Sequence, residues 1–327
     1  MGTPIIPSSV NAADPADLLL LGADELRRLL TPARCLAALE DAYRRLHAAP
    51  EDAGQSVGFP TTDGTFHIKA GLYPGSHAYL AAKLNANFPG NGAANGLPTI
   101  QGMILLADGT DGRPLAILQS GELTGLRTAA ATALAAKHGA RDDASRLAIV
   151  GCGAQARHQV RALMGVRPIT RLDAIDRDAG RAEDLARWAR DEHGLTATPA
   201  DHVGAADIVV TCTTSTQPIL SPDAVPAGCF VAAVGADNPE KQELDPALFG
   251  GARILVDDRD QCAKGGDLAH ALRAGVVTTE DVAADLAQLA AGAVPGRTSP
   301  DQTVIFDSTG TGVQDVAASV AAYEAAR

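Results

Sequence analysis

The chain has no surplus of positive charge, no long apolar run, no paired cysteines and no internal repeat, and each absence closes off a class of function. Its 27 Lys and Arg stand against 39 Asp and Glu, a formal net charge of −12. Without a basic stripe to neutralise phosphates, nucleic acid is not an expected partner. Leu18–Leu21 falls far short of the roughly 20 apolar residues that a spanning helix requires, so no membrane partner is expected either. The N-terminus also lacks the basic region and apolar core of a signal peptide, which points to the cytoplasm. Cys35, Cys152, Cys212, Cys229 and Cys262 are an odd, scattered set with no CxxC pair. They suit small buried residues in a reducing compartment, and no metal site is expected of them.

What is present is a strand that runs into a glycine-rich turn, Leu147-Ala-Ile-Val-Gly-Cys-Gly-Ala-Gln-Ala156. Gly151 permits a tight turn and Gly153 lets backbone approach a pyrophosphate. Ala154 and Gln155 complete the loop, and Ala156 takes the close-packing third position. The N-terminus of the following helix would face the phosphates, where unpaired amides and the helix dipole favour negative charge. Arg171–Asp176 reads as the next strand and ends in an acid about 25 residues beyond Gly151, placed for a ribose 2′-hydroxyl. Asp176 favours NAD, because a 2′-phosphate would meet its charge, whereas the neighbouring Arg177 could turn to accept NADP. An ordinary strand–turn–helix with Asp176 as a cap is the plainer reading of the same residues.

At 327 residues the chain has room for two domains. Beyond Asp201, strand-like runs at Asp207–Cys212, Cys229–Val234, Arg253–Val256 and Thr303–Phe306 alternate with helical spacing at Ala179–Glu192, Asp260–Arg273 and Thr278–Ala291. This is the pattern of an α/β fold with a doubly wound parallel sheet. Ligands bind beyond the carboxyl ends of such strands, which draws attention to the loops at Thr213, Asp237, Asp257 and Ser308. The first 125 residues differ. Helices at Ala23–Leu30 and Pro32–Ala48 precede strand-like runs at Gly64–Lys69, Tyr79–Leu84, Gly102–Ala107 and Pro114–Gln119, a mainly antiparallel α+β unit. An alanine-rich helix, Arg127–Lys137, leads into the second unit, and a last helix near Val313–Ala325 is expected to return to the first. The expected boundaries are 1–125 with 313–327, and 126–312.

Lys83-Leu-Asn-Ala-Asn-Phe-Pro-Gly-Asn91, Gly96-Leu-Pro, Asp111–Ala116, Arg127-Thr-Ala-Ala, Gly151–Ala156, Gly235–Leu244 and Phe306-Asp-Ser-Thr-Gly310 occur in that order. Together they resemble the ornithine cyclodeaminase and mu-crystallin family, which includes an archaeal-type alanine dehydrogenase and ketimine reductases; the likeness runs from about Lys69 to Asp315. The resemblance implies that Lys83 binds a substrate carboxylate beside the nicotinamide. It implies that Arg127 reaches the carboxylate and the cofactor edge, and that Asp237 manages the proton of the substrate nitrogen. It also implies that the Ser308–Gly310 segment lines the nicotinamide end, and that the first domain makes a homodimer. Physical chemistry agrees with these residue types. A carboxylate entering a partly dry crevice needs a cation, and a charged hydrogen bond fixes the direction of the Cα–H bond for hydride transfer.

Plainer readings stand beside them: a snorkelling Lys83, a structural ion pair for Arg127, a turn at Asp237-Asn238-Pro239, a helix cap at Ser308 or Thr309. Thr213 and Thr214 are cofactor-side candidates by position. The family's early arginine has no counterpart in Gly54–Thr61. Lys69 in Phe66–Gly71 is a candidate replacement, with His67 on the same strand face. The expected function is an NAD(P)-dependent oxidoreductase that moves hydride at the Cα of a small α-amino or cyclic imino acid, such as 1-pyrroline-2-carboxylate. Ornithine cyclodeaminase is a second reading, although nothing in the sequence marks a site for its distal ammonium. A dinucleotide-holding protein without catalysis is the third.

Overall fold

A computed structural model of the chain describes residues 18–49, 54–73, 75 and 77–327. In chain order the first part contains β1 (Leu19–Leu21), α1 (Ala23–Leu29), α2 (Pro32–Ala48), β2 (Gln55–Pro60), β3 (Thr65–Leu72), β4 (Tyr79–Asn87), α3 (Asn91–Asn95), β5 (Ile100–Asp108) and β6 (Pro114–Gln119). Then come α4 (Ser120–Gly139), β7 (Arg146–Val150), α5 (Ala156–Met164), β8 (Arg171–Ile175), α6 (Ala179–His193), β9 (Thr196–Pro199), β10 (Ile208–Thr211), β11 (Thr216–Leu220), β12 (Phe230–Ala233) and β13 (Gln242–Leu244). The last part holds β14 (Arg253–Val256), α7 (Arg259–Gly265), α8 (Asp267–Arg273), β15 (Val282–Asp285), α9 (Leu286–Ala290), β16 (Val304–Asp307) and α10 (Gly312–Ala326).

Apolar runs without polar alternation become central strands covered on both faces, and β10, β12 and β16 are buried along their whole length. They belong to an eight-stranded parallel sheet in the order β15-β14-β16-β12-β10-β7-β8-β9. The chain winds outward from β7 through β8 and β9, then crosses back to β10 and proceeds the other way. The reversal between β7 and β10 opens a crevice at the carboxyl ends of those strands. The fold is therefore a Rossmann-type α/β sheet, joined to a six-stranded sheet in the order β1-β6-β5-β4-β3-β2. That second sheet is antiparallel except for β1 on β6.

Two helices stand between the sheets. α4 and α10 are apolar around most of their circumference, as a helix enclosed on all sides must be. α10 packs on α2, α4, β3 and β4, and α4 packs on α2 and α5. This brings β3, β4, α4 and α10 to one place, which positions the charged residues described below.

Two expected helices are corrected. Asp260–Arg273 is broken into α7 and α8 at Gly266, whose extended backbone lies so close to Asp307 that a Cβ there would be 2.2 Å from Oδ2. Thr278–Ala291 is not one helix either. A single 3-10 turn leads into the edge strand β15, which pairs with β14, and Asp285 and Gln288 cap α9 reciprocally. Tertiary pairing outweighs helical spacing in so short a segment. Edge strand β2, exposed along its length and carrying Gly58 and Pro60, left no apolar alternation to read.

Candidate active site

At the tip of β7, Gly151 has φ +100° and its amide donates to the Ile175 carbonyl at 2.8 Å. A Cβ at this position would lie 2.7 Å from Thr213 Cγ2 and 2.9 Å from the Cys212 carbonyl oxygen, so glycine is a structural requirement. Gly153 is different. Nothing lies within 4 Å of where its Cβ would be, and the open side faces a cleft of about 310 Å³ whose lining includes Cys152, Gly153, Ala154, Arg157, Arg181 and Asp184. α5 begins just beyond, with Gln155 at its N-cap position making no side-chain cap bond. The Ala156 amide donates to the Gly153 carbonyl at 3.2 Å, and no side chain caps the rest of the first turn, which leaves it open to an anion. Asp176 sits beside this turn. Its Oδ2 accepts from the Cys152 amide at 2.8 Å and its Oδ1 from the Asp178 amide at 2.9 Å. An open glycine, uncapped amides and an adjacent carboxylate are what a nicotinamide dinucleotide requires. Arg177 is exposed next to Asp176. Arg157 and Arg181, which flank the cleft, were not picked out from the sequence, because nothing in local spacing brings α5 and α6 together.

The second half of the site collects around α10. Lys83 on β4 is 4% exposed and forms an ion pair with Asp315 at 2.7 Å. Arg127 on α4 donates from Nε to the other Asp315 oxygen at 3.0 Å and from Nη1 to Gln314 Oε1 at 2.7 Å. Lys69 pairs with Lys83 across β3 and β4, so the two side chains share a face. Its ammonium donates to the carbonyls of Thr309 (3.1 Å) and Gly310 (2.8 Å). Gly310 has φ +76°, and a Cβ on it would lie 2.5 Å from Arg127 Nη1, so the guanidinium packs where a side chain would otherwise stand. Two cations thus contact one carboxylate, and a third stands beside them.

Burial pushes Lys83 down to about 7; Asp315 opposes that shift, while Arg127 and Lys69 add to it. Burial also lowers Lys69, with Arg127 contributing. Burial alone would raise Asp315, but Lys83 and Arg127 hold it below the usual carboxylate range. Asp237, at the carboxyl end of β12, is half exposed and bonded to Lys241 Nζ at 2.7 Å. Burial acts to raise it, but Lys241, then Lys69, keep it low, so it is a carboxylate at neutral pH. His67 faces the same group: burial lowers it and Asp237 pulls the other way.

The remaining expected residues are differently employed. The Ser308 hydroxyl donates to Asp257 Oδ2 at 2.8 Å, and the Gly310 amide donates to the same oxygen at 2.7 Å. Thr213 donates both its amide (2.6 Å) and its hydroxyl (2.8 Å) to Glu243 Oε1, while Thr214 is exposed. Sequence reasoning missed Asp315, Gln314 and Glu243, and marked Asp257 only as a loop position. An acid in the first turn of a mainly apolar helix, Gly312–Ala326, was the available signal for Asp315. Among the described residues, no group of three His, Cys, Asp or Glu is arranged to hold a metal ion.

A model of the ornithine cyclodeaminase/mu-crystallin family matches residues 19–327. An alanine dehydrogenase of Archaeoglobus fulgidus is 34% identical over 310 residues, covering 94% of this chain and 95% of its own. An iminosuccinate reductase of Paracoccus denitrificans is 34% identical over 318 residues, 95% and 97% of the two chains. Among solved structures, Thermococcus litoralis Δ1-pyrroline-2-carboxylate reductase in complex with NADH and L-proline superposes with a TM-score of 0.89 at 26% identity, over 94% and 97% of the chains. An archaeal alanine dehydrogenase dimer with bound NAD gives the same TM-score at 34% identity, over 94% and 96%.

Proposed function

The chain belongs to the ornithine cyclodeaminase/mu-crystallin family, and on that premise we propose how it works as an NAD(P)-dependent oxidoreductase acting at the Cα of a small α-amino or cyclic imino acid. The observation that carries the assignment of roles is the excess of buried cation. Lys83 and Arg127 share the carboxylate of Asp315, and Lys69 beside them bonds only to the carbonyls of Thr309 and Gly310. A substrate carboxylate would complete the charge balance there. Bound nicotinamide supplies or accepts the hydride. The protein's part is to hold the substrate's acid group with Lys83, Arg127 and Lys69, so that Cα is presented to the ring in one orientation. Asp237 is ionised near neutrality, so in reduction it stabilises an iminium nitrogen, and in oxidation it takes the amine proton. Gly151, Gly153, Ala154 and Gln155 would cradle the pyrophosphate. Asp176 would meet the ribose, which favours NAD over NADP. Thr213, Thr214 and the Ser308–Gly310 segment would stand at the nicotinamide end.

This division of labour has a pH signature. In the free enzyme Lys83 is a cation below about 7 and neutral above it. The value of kcat/KM for 1-pyrroline-2-carboxylate with NADH should therefore fall as pH rises from about 7 to about 8.5. The limb in kcat should lie at higher pH, because a bound carboxylate favours the ammonium. A kcat/KM that is flat or rises over that range would remove Lys83 from the carboxylate site.

We assign residues 1–125 with 313–327 to the substrate and dimerisation unit, and 126–312 to the coenzyme unit; residues 1–17, 50–53, 74 and 76 of the first lie outside the described residues. The outer face of the six-stranded sheet supports a homodimer. Leu20, Val57, Phe59, Phe66, Leu84, Met103 and Leu105 are exposed large apolar residues, and the strand registers place them on the side away from Lys83. So continuous an apolar face marks an interface, and a second copy is its simplest occupant. Sedimentation should give a dimer for the native chain and a monomer for Phe59→Glu with Met103→Glu; a monomeric native chain would refute it. No helix of the described residues is long and apolar enough to cross a membrane. The five cysteines are all free, which fits a reducing compartment such as the cytoplasm.

A further inference from the structure

Glu243, on the short strand β13, is fully buried and accepts four hydrogen bonds. Oε1 takes the Thr213 amide at 2.6 Å and the Thr213 hydroxyl at 2.8 Å; Oε2 takes the Thr211 hydroxyl at 2.8 Å and the Gly235 amide at 2.8 Å. Those donors belong to the tips of two neighbouring strands, β10 and β12. The backbones are drawn together so closely that a Cβ on Gly235 would lie 2.4 Å from the Thr213 carbonyl oxygen. We propose that Glu243 is a positioning residue whose ionised carboxylate clamps the Thr213–Thr214 loop to the loop carrying Asp237, and so fixes the spacing between the dinucleotide and the nitrogen-facing acid. The inference rests on the coenzyme reading given above and adds a residue to it.

Four donors converging on one carboxyl group favour its charged form, in which all four can donate. Once the group is protonated, its hydrogen finds an acceptor only in a threonine hydroxyl, so the bond from Thr211 or Thr213 is reversed and that hydroxyl no longer donates to it. The groups around it do not help to hold the charge. From α8, Asp267 Oδ1 accepts the amides of Glu243 and Leu244, and from β16, Asp307 accepts those of Asp267 and Leu268. Cys212 lies alongside just beyond β10, and β11 contributes no titratable group. The nearby basic groups are engaged elsewhere, Lys241 with Asp237 and His270, which burial keeps from protonating, with the Lys241 carbonyl. Burial, then Asp267, push Glu243 up to about 7, against the bonds from Thr213 and Thr211. The clamp therefore closes as pH rises through neutrality and loosens below it.

The chain's single tryptophan, Trp188, lies 5.3 Å from Arg157, which lines the coenzyme cleft, so quenching of its fluorescence reports NADH binding. Titrated with NADH from about pH 6 to about pH 8.5, the native protein should bind roughly tenfold more tightly at the upper end. Glu243→Gln should bind weakly and without pH dependence, with kcat for 1-pyrroline-2-carboxylate lowered about a hundredfold. Thr211→Val removes one donor to the charged form, so it should move the midpoint of the binding transition to higher pH; this arm stands even if Glu243→Gln does not fold. A Thr211→Val midpoint equal to the native one, or a folded Glu243→Gln with native NADH affinity, overturns the clamp alone. A native protein that shows no quenching at any pH overturns the coenzyme reading, and the clamp with it.

Discussion

Lys83→Met is expected to lower kcat/KM for 1-pyrroline-2-carboxylate by about a thousandfold while leaving NADH affinity within a factor of about two. The methionine keeps most of the side-chain volume of a residue only 4% exposed, so the change is chiefly one of charge. Two losses combine. The substrate carboxylate forfeits a charge-assisted hydrogen bond in a site that excludes water, and the direction in which Cα is presented is no longer fixed. Loss of one partner from a buried ion pair commonly costs about 3–5 kcal/mol of stability. Here the cost should lie at the low end, because Arg127 Nε still holds the other oxygen of Asp315 at 3.0 Å. Melting temperature, NADH titration and steady-state kinetics on one preparation separate these effects. A loss confined to the affinity for NADH would contradict the role given to Lys83.

Gly153→Val should weaken NADH binding at least a hundredfold without lowering the melting temperature. Gly153 is not among the glycines with positive φ, and nothing in the protein lies within 4 Å of its would-be Cβ. Two methyl groups there fill only the space through which a pyrophosphate would approach. Gly151→Val makes the contrast. With φ +100° and a Cβ 2.7 Å from Thr213 Cγ2, it should lose stability outright. If Gly153→Val bound NADH as the native chain does, the glycine-rich turn would not be a dinucleotide cradle.

The difference between these glycines shows what a sequence can and cannot convey. Both were legible as members of one motif, because the tight turn and the phosphate approach impose residue types at fixed spacing. That one is wedged against Thr213 and the other faces open space is a property of the neighbouring strand, more than 50 residues away in the chain. The strands β7, β8, β10, β12, β14 and β16 were equally legible, since they centre on apolar runs such as Ile208–Val210. Edge strands such as β2 and β15 were not, because half-exposed segments have no distinctive pattern. The charge cluster was half legible. Lys83 and Arg127 were marked by the family resemblance, but Asp315, which joins them, arrives from α10 at the far end of the chain. Ser308 was recognised as a polar residue at a strand mouth, and Asp257, which takes its hydroxyl, was noted only as a loop position. The acids that hold loops together carry no local signature, because their partners are backbone amides of distant residues.

The central claim is that hydride passes between a nicotinamide and a nitrogen-bearing Cα whose carboxylate is gripped by Lys83 and Arg127. It is tested most directly by supplying NADH deuterated at its transferable position together with 1-pyrroline-2-carboxylate and the acyclic imines of alanine and aspartate, and locating the deuterium in the products. The account predicts an amino acid labelled at Cα, from at least one of these substrates, and no label from the Lys83→Met variant beyond about a thousandth of the native rate. Unlabelled product, or no consumption of coenzyme with any α-imino acid by a protein that binds NADH, would contradict it.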